Sequence, residues 1–265
     1  MYQPIDNEIF HVHTKRCKHA SMDEDFQYVE AAIHLGADRI VFTDHAPFPG
    51  DPFRNRMEMK DLPDYMDSMK GLKKEYGGKI EVLCGLEIEY LPSFGAYYRE
   101  LYDSKEFDLL MLSQHFYENE DGSFSFMNEE KSEEFKGLRT ATVQGIETGL
   151  FDVVAHPDRI FRRCNYWNAE LMGASYDIIN AALKHPIFLE KNFSSQIRKN
   201  QFWPPFWVRA ARNLILEGYD VHSVKEMEKF WERKHATLNQ AELSDETFVY
   251  LMRDITGEVG ECVIK

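Results

Sequence analysis

No run of 18 or more apolar residues occurs in the chain, which excludes a membrane-spanning helix written plainly in the sequence. Residues 1–6 lack a basic segment followed by an apolar one, so no signal peptide is expected. Cysteine is scarce. Cys17, Cys84, Cys164 and Cys262 stand far apart with no CxxC pair, which argues against a disulfide framework and makes a cytoplasmic location the default. Positive charge is also short: 31 Lys and Arg face 45 Asp and Glu, a net charge of −14. Such a surface repels nucleic acid and anionic membranes, so neither is expected as a partner. A small phosphorylated molecule stays compatible, because bound cations reverse the local field. Low-complexity segments, repeats and long linkers are absent, so residues 1–265 are read as a single domain.

Short apolar runs alternate with longer amphipathic stretches. The runs at Glu8–Val12, Arg39–Thr43, Ile80–Ile88, Leu109–Ser113, Val153–His156, Ile187–Asn192 and Leu214–Gly218 are expected strands. Glu24–Leu35, Leu62–Tyr76 and Ser132–Thr148 carry helical periodicity, with glycines just beyond as stops. Glu226–Lys234 and Ser244–Ile255 read as helices with solvated charged faces. Alternation of this kind implies βαβ units and a mainly parallel sheet, and six or seven units suit a barrel better than a small open sheet.

The placement of the ten histidines is the strongest signal. His11 and His13 close the first run, and alternate strand residues face one side. His19 follows in a loop, and His45 closes the second run after Thr43 and Asp44. Glu87 falls near the end of the third, His115 after the fourth, His156 at the end of the fifth, and Asp220 and His222 after the last. In a parallel α/β fold these ends converge on one rim, where active sites sit. Imidazoles and carboxylates together suit zinc, iron or manganese. One histidine at a strand end is usually a satisfied polar residue; seven with two carboxylates point to a metal site. His34, His185 and His235 lie in or beside helical stretches and are read as structural.

Taken in order, His11-Val12-His13, His19, Thr43-Asp44-His45, Gly85-Leu86-Glu87, Ser113-Gln114-His115, His156-Pro157-Asp158 and Asp220-Val221-His222 resemble the polymerase and histidinol phosphatase (PHP) family, over residues 8–223. The resemblance implies a distorted, TIM-like (β/α)7 barrel with three clustered divalent metal ions at the C-terminal ends of its strands. By position, His11, His13, Glu87 and Asp220 would hold one ion. His19, His45 and His222 would hold a second, and Glu87, His115 and His156 a third, with Glu87 bridging. The sequence departs from the family around the last motif, where Tyr219 and Val221 replace residues that are commonly small.

What the resemblance implies chemically is phosphate monoester hydrolysis by a hydroxide held between ions, with L-histidinol phosphate as the expected substrate. Asp220 and His222 are the candidates for proton transfer to the leaving oxygen, and Asp44 for orienting a ligand imidazole. Arg159 and Arg198 follow strands on the presumed rim and are the candidate phosphate contacts, since arginine forms a planar fork; Arg162 and Arg163 come next. Pro47–Arg56 would form a rim loop over the substrate. Phe116 and Tyr117 are expected to pack, and Glu118, Asp158 and Glu190 are acidic candidates for a substrate amine. The alternatives are another phosphoesterase of the family, such as a phosphotyrosine-protein phosphatase, an amide hydrolase, or a non-catalytic metal-binding domain.

Overall fold

The computed structural model describes residues 2–126, 131–161, 168–196, 210 and 212–238. Seven parallel strands form its centre: β1 (Glu8–Val12), β2 (Arg39–His45), β3 (Glu81–Ile88), β4 (Leu109–Leu112), β7 (Val153–Val154), β8 (Phe188–Asn192) and β9 (Ile215–Gly218). They are hydrogen-bonded in the order β1-β2-β3-β4-β7-β8-β9. The two edges meet. Tyr219 N donates to Phe10 O at 2.9 Å, Val221 N to His11 O at 3.2 Å and His13 N to Val221 O at 2.9 Å. A seven-stranded, TIM-like parallel barrel results, as expected, and its seam runs through the ligand-bearing ends of β1 and β9.

Helices α1 (Asp25–Leu35), α2 (Leu62–Tyr76), α3 (Gly95–Ser104), α4 (Lys131–Glu147) and α5 (Ala169–Lys184) connect the strands, and α7 (Val224–Leu238) follows β9. A single turn, α6 (Phe193–Gln196), lies directly after β8. At the start of α1 a capping box pairs Glu24 with Gln27, and Gly36 ends the helix at φ +81°. The hairpin of β5 (Tyr117–Glu118) and β6 (Phe124–Ser125) stands apart from the barrel sheet. Neither it nor α3 and α5 is marked by the patterns above. Ser244–Ile255, by contrast, lies outside the described residues.

Two apolar clusters divide the core. The larger fills the layer between strands and helices. The smaller, with Tyr2, Phe10, Val41, Leu109, Met111, Val153 and Leu216, fills the barrel interior. Its floor is closed where the Tyr2 hydroxyl donates to Glu8 at 2.6 Å and Arg39 pairs with Glu8 at 3.1 Å. Inward positions then recur every second residue up each strand. Above Val41 come Thr43 and His45; above Leu216 come Gly218 and Asp220. Tyr219 and Val221 therefore point into the outer layer and pack there, which accounts for their size beside Asp220. The fifth expected strand is shorter than Val153–His156, because His156 turns away at φ +27°.

Candidate metal centre

Alternation alone would send His11 outward, since Phe10 below it faces the interior. The chain corrects this with a bulge. Phe10 pairs with Val41 and Val12 with Phe42, leaving His11 as the extra residue at φ +73°. His11 and His13 thereby both face inward above Phe10, while Val12 joins the outer layer. His156 and Asp220 also hold positive φ, +27° and +53°. Three expected ligands thus sit in a backbone region that non-glycine residues rarely occupy, a form of strain that concentrates at functional sites.

The structure brings all nine expected ligands together. Glu87 is central and fully buried. Its carboxylate oxygens lie 3.4 Å from His11 Nε2, 3.4 Å from His13 Nε2, 2.9 Å from His45 Nδ1, 3.0 Å from His156 Nε2 and 3.9 Å from His115 Nε2. Asp220 lies 3.4 Å from His13 Nε2 and 3.8 Å from His11 Nε2. His19 and His222 approach through their Nε2 atoms at 2.9 Å. Ligand atoms within 4.8 Å of one another define the sets His11–His13–Asp220, His13–His45–Glu87, His11–Glu87–His156, His19–His45–His222 and His13–Cys17–His222, with His115 beside them but in none. His34, His185 and His235 belong to none of these sets.

Apart from His156 Nε2 with Glu87 Oε1 and His222 Nε2 with His19 Nε2, most of these close approaches are not hydrogen bonds. His11 Nε2, both ring nitrogens of His13, His45 Nδ1, Glu87 Oε2 and His156 Nδ1 are buried without a hydrogen-bond partner. Unpaired buried polar atoms are costly and rare. Here they gather in one place, and each neutral imidazole offers one ring lone pair and each carboxylate several, the pattern that a divalent cation satisfies. The electrostatics follow from the same crowding. Burial favours neutral His11, yet the carboxylates of Glu190, Glu87 and Asp220 outweigh it and raise its pKa well above the ordinary value. Burial likewise opposes charge on His13, but Asp220, Asp44 and Glu87 push it up to about 9. Burial would raise Glu87 and Asp220, and the surrounding histidines instead hold both carboxyls well below their usual range. His222 is lowered to about 3 by burial and by His13, and His115 to about 3 by burial and the charge of Arg159. Anionic carboxylates and neutral imidazoles are the states that ligate metal, so Glu87, Asp220, His115 and His222 are ready for an ion, which would displace protons from His11 and His13.

Supporting residues differ in part from expectation. Asp44 lies beside the ligand imidazole of His13, its Oδ1 3.7 Å from His13 Nδ1, beyond hydrogen-bond length, and it accepts from Thr14 N at 2.8 Å and from the Thr14 hydroxyl. Pro47–Arg56 follows the rim end of β2, with residues 49–52, Arg54 and Asn55 exposed. Phe48 and Phe53 are buried, and Arg56 forms a two-pronged ion pair with Glu89 at 2.9 and 3.0 Å. Phe116 joins that aromatic cluster, 4.7 Å from Phe53. Among the acidic candidates, Glu118 accepts from Ser93 N at 2.9 Å and Asp158 is buried. Glu190 is buried against His11 and cannot present itself to a substrate amine. Arg159 N donates to His156 O at 2.7 Å, just past β7. Arg198, Arg162 and Arg163 lie outside the described residues. Two contributors went unread. Glu89 accepts from His115 Nδ1 at 2.8 Å, and Ser113 Oγ lies 3.3 Å from His115 and 3.5 Å from His156. Glu89 could have been found as the inward neighbour of Glu87 two residues on.

The barrel and its rim define a class: parallel α/β barrels that hold divalent metal among histidines and carboxylates at the C-terminal ends of their strands. Residues 10–193 match the PHP domain, and the chain belongs to that family. It is similar to a Deinococcus radiodurans protein named "Probable histidinol-phosphatase", 30% identical over 160 residues, which are 56% of this chain and 59% of that protein. It is also similar to the histidinol-phosphatase of Bacillus subtilis, 40% identical over 91 residues, 32% of this chain and 34% of that one. The chain therefore matches less than two thirds of the length of either relative. Among solved structures, the histidinol phosphate phosphatase of Lactococcus lactis, complexed with zinc, L-histidinol and phosphate, has a TM-score of 0.65. It is 21% identical, with 86% of this chain and 93% of that chain covered, a likeness of fold.

Proposed function

We propose that this chain is a metal-dependent phosphate monoester hydrolase that converts L-histidinol phosphate to L-histidinol and phosphate. The observation that carries the reading is the gathering of unpaired, buried imidazole and carboxylate atoms around Glu87 at the barrel rim, in a family whose relatives bear the histidinol-phosphatase name. Three ions are proposed, held by His11, His13, Glu87 and Asp220, by His19, His45 and His222, and by Glu87, His115 and His156. Zinc, iron or manganese suits these donors. Such ions supply a nucleophilic water at neutral pH and neutralise charge on the phosphoryl oxygens.

The remaining work falls to the chain. Arg159 and Arg198 are assigned to the phosphate, where the guanidinium fork matches its oxygens; the field of Arg159 at His115 supports its placement near the rim. Asp220 and His222 are assigned to proton transfer at the leaving oxygen, and both retain solvent access, with side chains 13% and 24% exposed. The reading takes residues 1–265 as one barrel domain working in the cytoplasm. Among the described residues no helix is long and apolar enough to cross a membrane.

The test is phosphate release by protein loaded with zinc, manganese or iron(II). L-Histidinol phosphate, a phosphotyrosine peptide and p-nitrophenyl phosphate are compared at equal concentration. A strong preference for the first is expected. Hydrolysis confined to the other esters would move the function elsewhere in the family, and no release from any would refute the phosphatase reading.

A further inference from the structure

Glu190 lies in β8, fully buried, and both of its carboxylate oxygens are committed. Oε1 lies 2.7 Å from His11 Nδ1, and Oε2 accepts from the backbone N–H of His156 at 2.7 Å. These contacts reach in two directions. His156 follows β7, which adjoins β8. His11 belongs to β1, which is separated from β8 by β9. The carboxylate therefore passes over β9, and it does so at Gly218. A Cβ at that position would sit 1.8 Å from Glu190 Oε1 and 2.5 Å from its Cδ. The glycine is the opening through which one side chain spans three strands. In a strand interior, glycine often marks such a close approach.

We infer that Glu190 is a positioning residue for the metal centre: it fixes the ring tautomer and orientation of His11 through the side chain and holds the backbone of His156 in its ligand-presenting conformation. The inference rests on the metal-centre reading above. A carboxylate at Nδ1 requires the neutral imidazole to carry its proton there. Nε2 is then a bare lone pair, and it is Nε2 that faces Glu87 at 3.4 Å and Asp220 at 3.8 Å without a hydrogen-bond partner. These contacts matter because both residues they hold, one by its ring and one by its backbone N–H, are strained, at φ +73° and +27°. Residues in such regions persist only when their surroundings hold them there.

The site demands two acceptors, and this makes the prediction sharp. A glutamine at 190 offers one acceptor and one donor. With its oxygen on His156 N–H, its amide donates to His11 Nδ1 and moves the ring proton to Nε2, where it blocks ligation. With the amide reversed, two N–H groups face each other at His156. Neither arrangement keeps both contacts.

Three proteins test this: wild type, Glu190→Gln, and Gly218→Ala, which displaces the carboxylate while leaving it chemically intact. Folding is checked by circular dichroism, zinc stoichiometry and affinity by chelator competition, and the protonated ring nitrogen of His11 by long-range 15N–1H NMR of the zinc-loaded protein. Wild type should show His11 protonated at Nδ1. Glu190→Gln should lose that signature and bind zinc about 10- to 100-fold more weakly at one or more sites. Gly218→Ala should weaken binding in the same direction, and it carries the test if the glutamine variant does not fold. Wild-type affinity and an unchanged His11 tautomer in Glu190→Gln, or wild-type affinity in Gly218→Ala, would overturn the inference while leaving the metal centre standing. Failure of the wild type itself to take up zinc would overturn both, which keeps the two outcomes distinct.

Discussion

Glu89 is the residue whose environment is most one-sided. It is buried, accepts from both arms of Arg56, and holds His115 Nδ1 at 2.8 Å. Burial pushes its pKa up, but the Arg56 charge and the bond from His115 prevail and hold the carboxyl well below its usual range. Its folded pKa thus lies beneath the unfolded value of about 4.3. The stability it contributes is complete above that value and is lost as the pH falls through the folded one. Glu89→Gln should lower unfolding free energy by roughly 3 to 5 kcal/mol at pH 7, because it leaves a buried guanidinium without its counter-charge. In urea titrations the gap to wild type should narrow below about pH 4; a gap independent of pH would refute the account. The cysteines make the opposite case. Cys17 and Cys84 are buried, and burial pushes both thiols up to about 12. At pH 8 iodoacetamide should leave both unlabelled in the folded protein and label them once urea unfolds it. Peptide mass spectrometry reads this directly, and alkylation at the rate of an exposed thiol in the native state would contradict it.

At the scale of elements, α4 and the β5–β6 hairpin meet through a glycine. Helix propensity favours alanine over glycine by about 1 kcal/mol. At Gly137, however, a Cβ would lie 2.2 Å from the Tyr117 ring. Gly137→Ala should therefore destabilise the protein despite the better helix former, whereas Gly71→Ala, where nothing lies within 4 Å, should be neutral or stabilising. Thermal unfolding of the two variants side by side decides between propensity and packing. The same contrast explains what the sequence disclosed. All seven barrel strands were legible, because short apolar runs between amphipathic stretches are a local pattern. The clustering of the nine candidate ligands was legible because histidine is rare and recurs, with two carboxylates, at the ends of most runs. The role of Glu190, read as a candidate for a substrate amine, was not, for its partner His11 is 179 residues away and glutamate is ordinarily a surface residue. Gly218 within a strand was the available sign. The bulge at His11 left no mark either, since no glycine announces it, and Glu89 looked like one more acid in an acidic chain.

Across the whole molecule, the candidate metal centre and the closure of the barrel are one feature. The seam between β1 and β9 is made by hydrogen bonds of Phe10, His11, His13, Tyr219 and Val221, and the side chains of His11, His13 and Asp220 converge directly beside it. An ion bound there ties the two edges together. A ligand at 100 times its dissociation constant adds about 2.7 kcal/mol to stability, and one kcal/mol corresponds to about 2 to 4 °C in a chain of this size. Chelation by EDTA should thus lower the melting temperature by about 5 to 10 °C per site emptied, with recovery on adding metal back. Hydrogen exchange should locate the loss: the amides of His13 and Val221 should exchange faster without metal, while that of Phe42, within β2, should change far less. Acid should have the same effect as EDTA. Without metal, His13 is pushed up to about 9, so near neutrality the ion must displace a proton from it. Metal affinity should accordingly rise as the pH is raised from 6 towards 9. Seam exchange in the metal-loaded protein should fall over the same interval, after correction for the intrinsic pH dependence of amide exchange. An affinity flat across that range, or exchange that quickens uniformly around the barrel on chelation, would separate the metal from the seam.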